Sequence, residues 1–100
     1  SANKEDHVSM GTIAARKCRE IVANTENVIA IELLCAAQAL DLFTNLKPGE
    51  GTLAAYQAIR RSIPHLDADR FLAADIAAMG DLMRTGTILG AVEAKVGGLA

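Results

Sequence analysis

Apolar positions recur at helical spacing through the first half of the chain. Ile13, Cys18, Ile21, Val22, Thr25, Ile29, Leu33, Ala36, Leu40 and Phe43 follow a 3.6-residue period. No Pro interrupts residues 9–44, and Gly11 is the only Gly among them. The pattern predicts one long helix over 9–44, with Ser9 or Asp6 offering an N-cap oxygen to the first turn. The two halves of this helix differ. Arg16, Lys17, Arg19, Glu20, Asn24 and Asn27 give the first half a polar face, whereas Val28 to Phe43 is apolar nearly all round. A segment of the second kind is expected to be covered on nearly all sides.

A length argument follows. A helix of about 35 residues is roughly 50 Å long, while a compact 100-residue domain has a radius of gyration of roughly 13 Å. The remaining residues cannot wrap such a rod. Other chains, or a further part of the same chain, are expected to cover it.

Beyond the rod the pattern breaks into short pieces. Leu46-Lys47-Pro48-Gly49-Glu50-Gly51 is a breaker. An amphipathic helix is predicted over 52–62, with Leu53, Tyr56 and Ile59 inward and Gln57, Arg60 and Arg61 outward. Pro64 ends it and biases Ile63 towards an extended backbone. Asp67 or Asp69 is expected to cap a short turn holding Arg70 and Phe71. A third helix is predicted over 74–85, striped by Ile76, Met79, Leu82 and Met83. Gly86 reads as a stop, and a last helix is predicted over 88–96 before Gly97-Gly98. No alternating stretch predicts a strand, and no internal repeat is found. The fold class expected is all-α: a long central helix of a larger bundle, preceded by an irregular segment over 1–8 and followed by shorter helices within 52–96.

Composition agrees with close-packed helices, at 51% hydrophobic but only 3% aromatic residues and no Trp. The formal charge of −2 leaves no basic excess for phosphates, and one Tyr and two Phe make no stacking platform, so no nucleic-acid partner is expected. Residues 1–8 lack the apolar core of a signal peptide. Val28 to Phe43 is too short, and with Glu32, Gln38 and Asp41 too polar, to span a bilayer. Ser at position 1 is read as a processed chain or an excised piece.

Candidate chemistry is sparse. Lys4-Glu5-Asp6-His7 gathers an ammonium, two carboxylates and an imidazole, which suits an acid–base site and equally a solvated helix lead-in. Cys18 and Cys35, roughly 25 Å apart on one helix, cannot form a disulfide with each other and are expected to be reduced core residues, as in a cytoplasmic protein. Glu32 inside an apolar helix calls for a partner, either an Arg elsewhere in an assembly or a place lining a site. His65, after Pro64, is expected at the surface. No metal site is expected, because no HExxH, CxxC or EF-hand spacing occurs. No GxSxG or phosphate loop occurs either.

SANKEDHVSMGTIAARKCREI, VIAIELLCAAQALDL and DRFLAADI together resemble the C-terminal region of the histidine ammonia-lyases, a branch of the aromatic amino acid lyases. The resemblance covers nearly the whole chain, weakens after about Asp81, and is most specific in EDHVSMG followed by AARK. It implies a mostly helical, cytoplasmic homotetramer with long central helices, whose sites draw on more than one subunit. It further implies deamination of L-histidine to urocanate and ammonia by a methylidene-imidazolone (MIO) electrophile formed from an internal Ala-Ser-Gly. Glu5 matches the family's acidic substrate-site residue, the catalytic position expected in this chain. A carboxylate there can accept from an imidazole N–H or meet the α-amino group. Relatives acting on phenylalanine or tyrosine tend to carry an amide there, so Glu5 favours histidine. Asp6 and His7 are expected to hold the loop around Glu5.

Lys4 stands where the family usually has Gln, and Ala74-Asp75-Ile76-Ala77 where it has Pro-Asp-Ile-Glu. No Ala-Ser-Gly occurs in the 100 residues and no Tyr lies near Glu5. The chain alone is therefore expected to be inactive, completed by the rest of a lyase chain. Two other readings stand beside this one: a segment of a tyrosine or phenylalanine ammonia-lyase or aminomutase, and a non-catalytic helical oligomerisation module.

Overall fold

The computed structural model describes residues 10–99. All regular structure among them is helical, in the order α1 (Gly11–Leu42), α2 (Glu50–Arg60), α3 (Ala73–Arg84) and α4 (Thr87–Val96). The fold is all-α, as the spacing predicts, and each boundary lies within about two residues of expectation.

The helix ends have local causes. Met10 holds the N-cap position of α1 with no side-chain cap, and the expected caps, Ser9 and Asp6, lie outside the described residues. Phe43 leaves α1 in an extended conformation. After Pro48, Gly49 occupies an extended N-cap and its carbonyl accepts from Leu53 N at 2.8 Å, so α2 starts at Glu50 rather than Thr52. Glu50 and Arg60 sit at the ends of α2 that suit their charges, as do Asp75 and Arg84 in α3. Gly86 adopts a left-handed φ of 72°, which breaks α3 from α4 without a Cβ clash.

Residues 61–72 differ from expectation. Asp67 and Asp69 cap no turn around Arg70 and Phe71; the backbone there is irregular. Arg70 shapes it instead, donating from Nη2 to Pro64 O at 2.8 Å, from Nη1 to His65 O at 3.1 Å and from Nε to Asp75 Oδ2 at 2.9 Å. Three fixed donors on one planar group specify the path better than a capped turn would.

Packing is partial. α2 lies against α4, α1 against α3, and α3 against α4. Gly51 allows the close approach of α2 to Val92 and Val96 of α4. The core gathers Ala30 and Ala37 of α1, Ile59, Ile63 and Met79, flanked by Leu33, Leu34, Tyr56, Ile76, Leu82 and Met83. Small residues on α1 meet large ones from the later helices, so one stripe of the rod is covered and the rest is open. Ile21 and Val28 are each 63% exposed and Leu42 is 74% exposed. The molecule extends 71 × 36 × 19 Å with a radius of gyration of 19.4 Å, well above the roughly 13 Å of a compact domain of this length.

Candidate functional site

Glu5, Asp6 and His7 lie outside the described residues. They directly precede the start of α1 in sequence. The densest polar constellation among the described residues stands at the opposite end of that helix.

Asp41, in the last turn of α1, is its centre. Its Oδ2 accepts from Arg60 Nη2 at 2.5 Å and from His65 Nδ1 at 2.6 Å, and its Oδ1 accepts from the Tyr56 hydroxyl. Tyr56 and Arg60 lie four residues apart on α2 and so share a face; the guanidinium sits 5.5 Å from the Tyr56 ring centroid. Arg60 Nη1 also donates to Ile63 O at 3.1 Å, tying the helix end to the connector. The Arg60 Nε is buried without a partner. The Asp41 side chain is 14% exposed. Burial pushes its carboxyl upward, but the bonds from Tyr56, His65 and Arg60, with the Arg60 charge, outweigh this and hold it at about 2.

The cluster fixes the tautomer of His65. Leu66 N–H can only donate, so the Gln38 atom 3.1 Å from it is Oε1, and Gln38 Nε2 donates to Leu66 O at 3.1 Å. The same Nε2 lies 3.2 Å from His65 Nε2. The imidazole must accept there, leaving its proton on Nδ1 for Asp41. His65 was expected at the surface; it is 35% exposed and wedged between α1 and the connector. The Asp41–His65 pair has the geometry that orients a general base, but Gln38 occupies the basic nitrogen. The arrangement staples α1 to α2 and the connector.

Beside this staple runs a half-open groove of about 460 Å³. Ile31, Leu34, Cys35, Leu42, Ile63, Leu66 and Ile76 form its apolar walls, with Arg60, Arg70 and Asp75 at the polar edge. Both arginines already have carboxylate and carbonyl partners, so the groove offers apolar surface and no free charge.

Two further expectations, on the cysteines and on Leu53, are corrected. Cys18 and Cys35 are exposed, not core, because the covered stripe of α1 runs through Ala30 and Ala37 on another side. Glu32, for which a partner elsewhere in an assembly or a place lining a site is expected, is exposed on the uncovered side of α1 and pairs with no described residue of this chain. Leu53, assigned to the inward face of α2, is 38% exposed while Ile59 is buried. No three His, Cys, Asp or Glu among the described residues stand together as a metal site would require. No described helix is long and apolar enough to cross a membrane. The Asp41 cluster itself was missed by the sequence pattern. Its signals were an acidic residue ending an apolar helix and a Tyr–Arg pair at helical spacing, neither of which names the other as partner.

A family model described as aromatic amino acid lyase matches residues 1–61. The histidine ammonia-lyase of Symbiobacterium thermophilum is 54% identical over 99 residues, covering 99% of this chain and 20% of that protein. Those of Natranaerobius thermophilus and Gloeobacter violaceus are each 52% identical, again covering 99% of this chain and 20% and 19% of theirs. The chain thus spans about a fifth of the length of these curated relatives. With the α1 rod, the staple and the Glu5-Asp6-His7 run all inside one continuous similarity, the chain belongs to the aromatic amino acid lyase family.

Proposed function

We propose that this chain is the C-terminal part of a histidine ammonia-lyase subunit, an enzyme that converts L-histidine to trans-urocanate and ammonia. The observation that carries the reading is Glu5 within the run Glu5-Asp6-His7, in a chain about half identical to enzymes of that name. The Glu5 carboxylate binds the substrate, accepting from the imidazole N–H or meeting the α-ammonium group. Asp6 and His7 hold the loop that presents it. The electrophile of such enzymes, MIO, forms from Ala-Ser-Gly; the 100 residues contain no such tripeptide. Nothing here fits that group, and it belongs to the rest of the subunit. The parent is a cytoplasmic homotetramer in this reading, and the chain alone is inactive.

The test is Glu5→Gln in the full-length parent. Loss of a charge-assisted contact lowers kcat/KM for L-histidine by about 100-fold, while the unfolding transition is unchanged. Equal turnover would remove Glu5 from the site. Assay of the unaltered parent on L-tyrosine separates the histidine reading from that of an enzyme acting on an uncharged ring: turnover of tyrosine above histidine overturns it.

A further inference from the structure

Two sets of bonds make opposite demands on the ring of His65. At Nδ1, Asp41 Oδ2 accepts at 2.6 Å, and an anion there favours the charged imidazolium. At Nε2, the Gln38 amide donates at 3.2 Å, which only the neutral ring can accept. The same amide holds Leu66 at its N–H and at its carbonyl, each at 3.1 Å. An acceptor for a proton on Nε2 already stands by, the exposed carboxylate of Asp67, whose Oδ1 is 3.6 Å away. We infer that Gln38, His65 and Leu66 form an acid-released latch: a proton on Nε2 expels the Gln38 amide, turns the outer N–H of the ring to Asp67 and detaches Leu66 from α1. This device goes beyond the proposed reaction and does not depend on it.

Turning the amide over does not relieve the conflict. A flipped Gln38 would accept from the charged ring, but it would set its NH2 against Leu66 N–H and its oxygen against Leu66 O, exchanging one bad contact for two. The titratable groups around the ring are Asp41 of α1, Tyr56 and Arg60 of α2, both bound to Asp41, and Asp67 and Arg70 of the connector. Arg70 donates to His65 O and is itself paired with Asp75 of α3. Aspartate, arginine and tyrosine do not as a class exchange protons between about pH 5 and 8, and histidine does. Asp41, held at about 2, keeps its charge throughout. The closed latch has no proton on Nε2 and the open one does, so acid draws it open. Leu66 is a wall of the groove beside the staple, and its release loosens that wall.

The experiment is amide hydrogen exchange of the full-length parent, read by mass spectrometry in a peptide spanning residues 63–68. Labelling times are corrected for the intrinsic pH dependence of exchange. Protection of the Leu66 amide is expected to fall at least about tenfold between about pH 8 and about pH 5.5, while α2 keeps its protection. Equal protection at both pH values overturns the latch, and so does a fall shared by α2, which marks general unfolding. His65→Asn removes the titrating ring, and protection should then be the same at both pH values. A fall that persists in this variant assigns the effect to another group and overturns the role of His65. Gln38→Glu replaces the donor by an acceptor that can hold a charged ring and Leu66 N–H together, so the fall on acidification should be lost. Unaltered acid release in that variant overturns Gln38 as the catch.

Discussion

At the scale of single residues, Asp41 carries the strongest electrostatic commitment in the structure. Its carboxyl titrates at about 2 in the fold against 3.8 when free. A carboxyl lowered on folding contributes stability that is fully present above the free value and is lost as pH falls through the folded one. The contribution is about 2 kcal/mol, and it should disappear between roughly pH 4 and pH 2. Asp41→Asn removes the charge but keeps the shape. It leaves the Arg60 guanidinium, only 16% exposed, without its anion. We expect a loss of about 3 kcal/mol at neutral pH, and a shallower dependence of stability on acid than the unaltered protein shows. Denaturant unfolding of the full-length parent at pH 7 and across pH 2–4 measures both; identical curves for the two proteins would exclude the staple as a source of stability. None of this was legible from spacing. Asp41 lay within an apolar run and His65 behind a proline, 24 positions away, and only the fold of residues 61–72 brings them together.

Among the elements, the helices were legible and the connectors were not, for one physical reason. Helix limits follow from local facts: the apolar period, Pro48, Pro64, and glycines where the chain must reverse. Connector 61–72 is decided by three Arg70 bonds to groups at positions 64, 65 and 75, and no local pattern encodes such a convergence. Gly86 tests the local half of this statement. Its φ of 72° is left-handed, and a Cβ built there meets nothing within 4 Å. Any cost of Gly86→Ala is therefore backbone strain alone, about 1 kcal/mol. Gly86→Asn should recover part of it, because Asn tolerates that conformation. Thermal unfolding midpoints in the order Gly, Asn, Ala would bear this out, and an Ala variant as stable as the parent would show that the α3–α4 corner adopts another conformation. The expected capping by Asp67 or Asp69 failed for a related reason. A cap can be named from composition, but its use depends on where the preceding chain is held.

Over the whole molecule, the mismatch between the rod and its cover governs behaviour. The accessible surface is 7707 Å², against roughly 5,400 Å² for a compact monomer of this mass. Much of the excess is apolar: Ile13, Ile21, Val22, Val28, Ile29 and Phe43 are open in addition to the groove beside the staple. The 100-residue chain expressed alone should therefore keep helical far-UV signal, bind a hydrophobic dye strongly, and run as a broad, concentration-dependent distribution of associated species. On the proposed reading the full-length parent should bind little dye and run as one species, with the open faces closed by the rest of the subunit and its neighbours. The helical oligomerisation module makes the opposite forecast, since a rod evolved only to associate would complete its own surface. Size-exclusion chromatography with light scattering decides between them. A sharp, dye-silent oligomer of the isolated chain would mean that these four helices suffice to bury the rod, and the functional reading would then have to do without the rest of a lyase.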